Sequence, residues 1–162
     1  MHIGFITSEY SNINFNKSIG GIGTFTKSLA ESLVKNNCQV TVFIHSQENE
    51  LCTSDNGVIL HFIKKKKKKG ITWYVNRKYV NKYVNSVVTS QKIDVLEAPD
   101  WTGFTALMTF SCPLIIRLHG SDTFFCHLED RKVKKKNIFF ENKALKAADS
   151  IIGVSDFRSE EH

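Results

Sequence analysis

Gly20-Gly21-Ile22-Gly23 stands between the apolar run Ile3-Gly4-Phe5-Ile6 and an amphipathic stretch from about Thr24 to Asn36. Glycines at a strand-to-helix turn let a ligand approach bare backbone. The helix that follows aims its first free N–H groups, and the positive end of its dipole, at the same place. Phosphate suits such a place, so the cluster points to a phosphorylated or diphosphate-bearing ligand. The same glycines could also serve only to turn the chain and pack helix on strand.

Two better-known phosphate loops do not fit. A dinucleotide fingerprint needs a third glycine where Thr26 stands, and an acidic residue after the second strand, where His45-Ser46 follows Gln39–Ile44. The Gly-Lys-Ser/Thr ending of an NTPase loop is absent. NAD binding and ATP hydrolysis are both disfavoured.

The other residues able to do chemistry follow apolar runs. They are Ser8-Glu9-Tyr10, Pro99-Asp100-Trp101, His119-Gly120-Ser121-Asp122 and Ser155-Asp156. Carboxylates are forked acceptors for sugar hydroxyls, and an aromatic such as Trp101 suits the apolar face of a pyranose ring or an acyl chain. His119 could donate a hydrogen bond, shuttle a proton or be an ordinary structural side chain. Asp100 could cap a helix starting at Trp101, and Ser121 or Asp122 a helix starting beside them. Phe124-Phe125 could face lipid or belong to the core, and core is the favoured reading because large apolar residues are usually buried.

Alternating elements would bring these residues together. Strands are expected at Ile3–Thr7, Gln39–Ile44, Gly57–Ile63, Ile93–Glu97, Leu114–Leu118 and Ser150–Val154. Helices are expected at about 24–36, with Phe25, Leu29 and Leu33 on one face, and at about 71–91, with a stripe including Trp73, Val80, Val84 and Val87. Further helices are expected at 101–110 and 133–148. This order implies a parallel sheet with helices on both faces. In such sheets ligands bind beyond the carboxyl ends of the strands, where the chemistry-bearing residues fall.

The chain has 162 residues, one ordinary domain, and a formal net charge of +6. No long apolar run or secretory leader is legible, so a cytoplasmic protein is expected. Its four cysteines have neither CxxC nor zinc-site spacing and read as reduced thiols. Lys64–Lys69, six lysines in a row, reads as a solvated loop or as attraction to an anionic membrane surface or acceptor. Without interleaved aromatics or arginines it is a poor nucleic-acid site.

Four segments in order resemble glycosyltransferase family 4. They are Gly20–Leu33 followed by Gln39-Val40-Thr41-Val42, then Asp94–Asp100, then Ile116-Arg117-Leu118-His119-Gly120, then Glu141–Ser155 with Ala148-Asp149-Ser150 inside it. The resemblance covers nearly the whole chain. It implies a Rossmann-like α/β domain, the N-terminal, acceptor-binding half of a two-domain GT-B enzyme. Residues 1–162 would be that half alone, and the half binding the nucleotide-sugar would lie outside them. This half alone is expected to lack turnover.

The resemblance further implies transfer from a UDP- or GDP-sugar to a glycan or lipid-linked acceptor, with retention and with no metal or cofactor beyond the co-substrate. Polysaccharide or glycolipid synthesis would be the setting. Gly20, Gly21 and Gly23 would contact the donor diphosphate, and His119 would be the catalytic residue beside the transferred sugar. Glu9, Asp100, Trp101, Gly120 and Asp122 would lie on the acceptor side. Glu9 matches the Ser-Glu-Tyr opening of glycogen-synthase-like members, whereas Lys17 does not match their lysine, which stands two residues before the glycine pair. The lysine run lies outside the family pattern.

A non-catalytic flavodoxin-like domain is the rival reading. It wants a Ser/Thr-rich loop directly after the first strand, and here Thr7 and Gly20 are far apart. A receiver domain wants paired acids where Glu9 stands alone.

Overall fold

The computed structural model describes residues 1–11 and 20–154. Lys17, Ser155 and Asp156 lie outside the described residues. Seven strands form one sheet: β1 (His2–Thr7), β2 (Gln39–Gln47), β3 (Leu51–Asp55), β4 (Val58–Lys64), β5 (Val95–Pro99), β6 (Leu114–Leu118) and β7 (Ser150–Gly153). Their order is β3-β4-β2-β1-β5-β6-β7. All neighbours run parallel except β3, which pairs antiparallel with β4. The helices are α1 (Gly21–Lys35), α2 (Thr72–Gln91), α3 (Asp122–Leu128) and α4 (Lys135–Ala147).

The strands are buried on both faces, so they read as near-continuous apolar runs. Alternation divides them between two cores. Phe5, Val40, Val42, Ile44, Leu60 and Phe62 face one side, where Ala30 of α1 is fully buried. Ile6, Phe43 and Ile63 face the other, against Val80, Val84 and Val88 of α2. The chain leaves β1 for β2 on one side and later places β5 on the other. The order therefore reverses between β1 and β5, and the crevice at such a reversal is where open α/β sheets bind ligands.

Several elements differ from expectation. β3 was not foreseen. Asn56 and Gly57 both take positive φ, 48° and 83°, which makes Asn-Gly the two-residue turn of a hairpin rather than a loop into one strand. The expected 101–110 helix is a single 3₁₀ turn over Trp101–Gly103 followed by irregular turns. Thr102, Gly103 and Leu107 sit at φ 53°, 55° and 64°, which no right-handed helix accommodates. Gly103 is required there, because a Cβ would collide with the backbone of Phe140 and Glu141 in α4. Trp73 is 37% exposed rather than part of the core stripe. β5 runs two residues later than expected, ending at Pro99, and α4 is a turn-edge shorter than 133–148.

Candidate functional site

The carboxyl ends of β1, β5 and β6 bring Ser8, Glu9, Trp101, His119 and Gly120 around one cleft of about 650 Å³. Gly21 and Ile22, from the first turn of α1, close another side. The site thus gathers four segments that are far apart in sequence, through the strand order alone.

Helix α1 starts earlier than expected, so Gly21 and Gly23 belong to its first turn. The three glycines do different things. Gly20 is the N-cap, and its N–H donates to Glu9 Oε2 at 2.8 Å. A Cβ on Gly20 would come within 2.9 Å of that carboxylate. A Cβ on Gly21 would meet nothing within 4 Å, so its surface opens to the cleft. Gly23 is buried, and its carbonyl accepts the Ser11 N–H. Among the described residues no side chain caps α1 and its first turn holds no acid, so its leading N–H groups face the cleft end of the helix.

Asp100 neither caps a helix nor lines the cleft. It is 2% exposed, and its two oxygens accept the backbone N–H groups of His119 (3.0 Å) and Gly120 (3.2 Å). Gly120 sits at φ 106°, a region that disfavours any side chain. The carboxylate thus fixes the turn that presents His119.

The His119 ring lies edge-on to Phe25, centroids 4.8 Å apart at 73°. Arg117 stands 5.4 Å from the same phenyl ring and makes a two-pronged pair with Glu97, at 2.6 and 2.8 Å. That pair raises the Arg117 pKa above its ordinary value. Glu97, Arg117, Phe25 and His119 form a supported wall. Phe25, expected to share a helix face with Leu29 and Leu33, is half-buried and lines the cleft. Phe125 does the same, 6.1 Å from Trp101, so Phe124-Phe125 is not core.

Asp122 is not at the cleft. Its carboxylate accepts from Asn137 Nδ2 at 2.7 Å, while Ser121 caps α3 by accepting the Phe124 N–H at 3.1 Å. Glu141, 4% exposed, accepts the Asp122 N–H and the Thr123 hydroxyl, and burial raises its pKa. These contacts tie α3 to α4.

A second cavity of about 160 Å³ adjoins the cleft, sharing Ser8, Ile22 and Trp101 with it. His45 and Thr105 line it. The His45 ring is stacked on Phe104 at 3.5 Å, and burial together with the charges of Arg77 and Lys65 pushes its pKa down to about 3. It is therefore a neutral imidazole at physiological pH. Thr105 is 2% exposed, and its hydroxyl has no hydrogen-bond partner among the described residues.

Sequence reasoning missed Phe25, Glu97, Arg117 and Phe125 as parts of the site. A usable signal existed for one pair. Glu97 stands opposite Ile115, so Arg117, of opposite charge two residues further along β6, is its diagonal neighbour once β5 and β6 are known to be adjacent. Among the described residues no group of three or more His, Cys, Asp or Glu side chains could hold a metal. None of the described helices is long and apolar enough to cross a membrane.

The fold is similar to that of a sucrose-phosphate synthase from Thermosynechococcus elongatus, with a TM-score of 0.69 at 11% identity over 93% of this chain. The chain spans 42% of the length of that structure. No curated protein matches the sequence. The family model described as Glycosyltransferase Family 4 matches residues 19–161, which takes in the α1 glycines, the Asp100 and His119 strand ends and the α4–β7 unit alike. Strands β2 to β7 and the cleft segments that follow β5 and β6 thus fall within one matched span, while β1, Ser8 and Glu9 precede it, and the chain belongs to glycosyltransferase family 4.

Proposed function

We infer that this chain forms the acceptor-side wall of a retaining glycosyltransferase that moves a sugar from a UDP- or GDP-sugar to a glycan or lipid-linked acceptor. One observation carries the reading. Gly21, open to solvent at the N-terminus of α1, and His119, held by Asp100, border the same cleft at the strand-order reversal. A second domain facing this cleft would supply most of the nucleotide contacts.

In the reaction the bond between the anomeric carbon and the diphosphate breaks. A bond from the acceptor oxygen to that carbon forms, and the acceptor proton passes to the departing phosphate. Negative charge grows on the leaving diphosphate. The leading N–H groups of α1 stabilise it there, which is transition-state stabilisation by preorganised dipoles. His119 donates a hydrogen bond to the transferred sugar. Trp101, Phe25 and Phe125 give the acceptor an apolar wall. Glu9 has a positioning task, holding Gly20 so that the first turn points into the cleft.

Gly21→Val tests the reading in the full-length protein. The added side chain enters empty space, so the fold is kept, while the diphosphate loses its approach to the backbone. The Michaelis constant for the nucleotide-sugar should rise about tenfold or more, equivalent to about 1.4 kcal/mol of lost binding. An unchanged constant contradicts the assignment.

A further inference from the structure

The cavities along the strand ends continue past His45. A basin of about 440 Å³ on the β2–β4 side shares Phe104 with the small His45 cavity, which in turn shares Ser8, Ile22 and Trp101 with the His119 cleft. Lys65, Arg77 and Lys136 line the basin together with the polar residues Ser46, Thr72 and Asn76. None of the described residues lining it is acidic.

The three cations come from separate elements. Lys65 follows β4, Arg77 is in α2 and Lys136 is in α4. Arg77 is 9% exposed and fixed, donating to the carbonyls of Gly103 (3.2 Å) and Phe104 (3.0 Å) and lying 4.1 Å from the Phe140 ring. Arg77 and Lys136 approach the same Trp73 indole, at 6.0 and 5.3 Å. Cations gathered on one aromatic surface with no carboxylate between them repel one another, and an anion placed among them relieves that repulsion. The lysine run does not act as a unit here. Lys66 leans on the Tyr79 ring at 4.0 Å and lies 4.0 Å from Glu50, and of the run only Lys65 lines the basin.

We propose that this basin binds an anionic group, a phosphate or a carboxylate, carried by the acceptor at the end away from the hydroxyl that receives the sugar. The proposal rests on reading the His119 cleft as the acceptor side. The guanidinium and the two ammonium groups supply charge-assisted hydrogen bonds, and Trp73 gives the ligand an apolar flank. The small cavity between basin and cleft holds the intervening part of the acceptor against neutral His45 and Thr105.

The test follows backbone amide shifts of the full-length protein during titration with inorganic phosphate, glucuronate and, as the neutral control, glucose, at constant ionic strength. Saturable shifts at Ser46, Gly70, Thr72 and Asn76 with at least one anion and none with glucose are expected, and the anion that saturates names the group. Lys136→Glu and Lys65→Glu exchange exposed side chains and should each weaken that binding by about tenfold, the worth of one charge-assisted contact. Lys67→Glu, equally exposed but outside the basin, should change it by less than about twofold.

Equal weakening by all three variants, or shifts that never saturate, overturns the proposal in favour of a diffuse positive surface. Phosphatidylserine-containing vesicles that bind through Lys67 but not Lys136, with no saturable phosphate shifts, also overturn it. Failure of the transferase reading would show separately, as silence of the Gly21 and His119 amides when UDP and GDP are added, and leaves the basin result standing.

Discussion

The backbone N–H of His119 donates to Asp100 Oδ1 at 3.0 Å, joining the end of β6 to the end of β5 beneath the cleft. With the Gly120 N–H on the other oxygen, a single buried carboxylate sets the direction of the histidine. Asp100 therefore shapes the site without entering it.

Asp100→Asn puts an amide N–H₂ group where a second acceptor is needed, and leaves a buried N–H without a partner. The variant should lose about 1–3 kcal/mol of stability in urea unfolding. Its turnover should fall with little change in the Michaelis constant for the donor, because the defect is in presenting His119. A fully stable, fully active variant contradicts the positioning role.

Gly103→Ala tests the contact between the Trp101–Gly103 turn and α4. The methyl group has no room against the Phe140 and Glu141 backbone, and the left-handed φ of 55° is strained for alanine. A loss of about 2 kcal/mol or more is expected in denaturant unfolding. Because Arg77 donates to the Gly103 carbonyl, the amide of Arg77 should shift in the same variant.

His45 makes stability fall in acid. Burial lowers its pKa to about 3 in the fold from an ordinary value of 6.5. Between those values the unfolded chain binds a proton that the folded chain does not, so stability is lost as pH drops below about 6.5. At pH 4 the loss from this group is on the order of 3 kcal/mol. His45→Phe should remove it, so the difference in unfolding free energy between variant and parent should shift in the variant's favour from pH 7 to pH 4. A difference independent of pH contradicts the neutral, buried imidazole.

Much of the fold was legible because parallel strands announce themselves. β6 is found at Leu114–Leu118 as the apolar run indicates, and β1, β2, β4 and β7 agree to within a few residues. The 101–110 segment misled because helical spacing of apolar residues says nothing of φ, and Thr102 and Leu107 adopt positive φ only under tertiary constraint. The site was partly legible for a similar reason. Topology predicts that strand ends meet, so Glu9, Gly21, Trp101, His119 and Gly120 were found together. It does not predict which carboxylate faces inward. Asp100 and Asp122 read alike in sequence as possible caps or ligands, yet one clamps the His119 backbone and the other holds Asn137. Phe25 and Phe125 look like core because side-chain type does not distinguish a core from the apolar wall of a cleft.

Glycosyl transfer by His119→Ala in the full-length protein, supplied with UDP- and GDP-sugars, tests the central claim most directly. His119 lies beside, not within, the core, and its backbone contact with Asp100 survives the change, so the variant should unfold like the parent. We expect turnover to drop by about a hundredfold, in line with loss of a positioned hydrogen-bonding group worth about 2.7 kcal/mol in the transition state. Turnover within about threefold of the parent, in a variant of unchanged stability, would contradict the account.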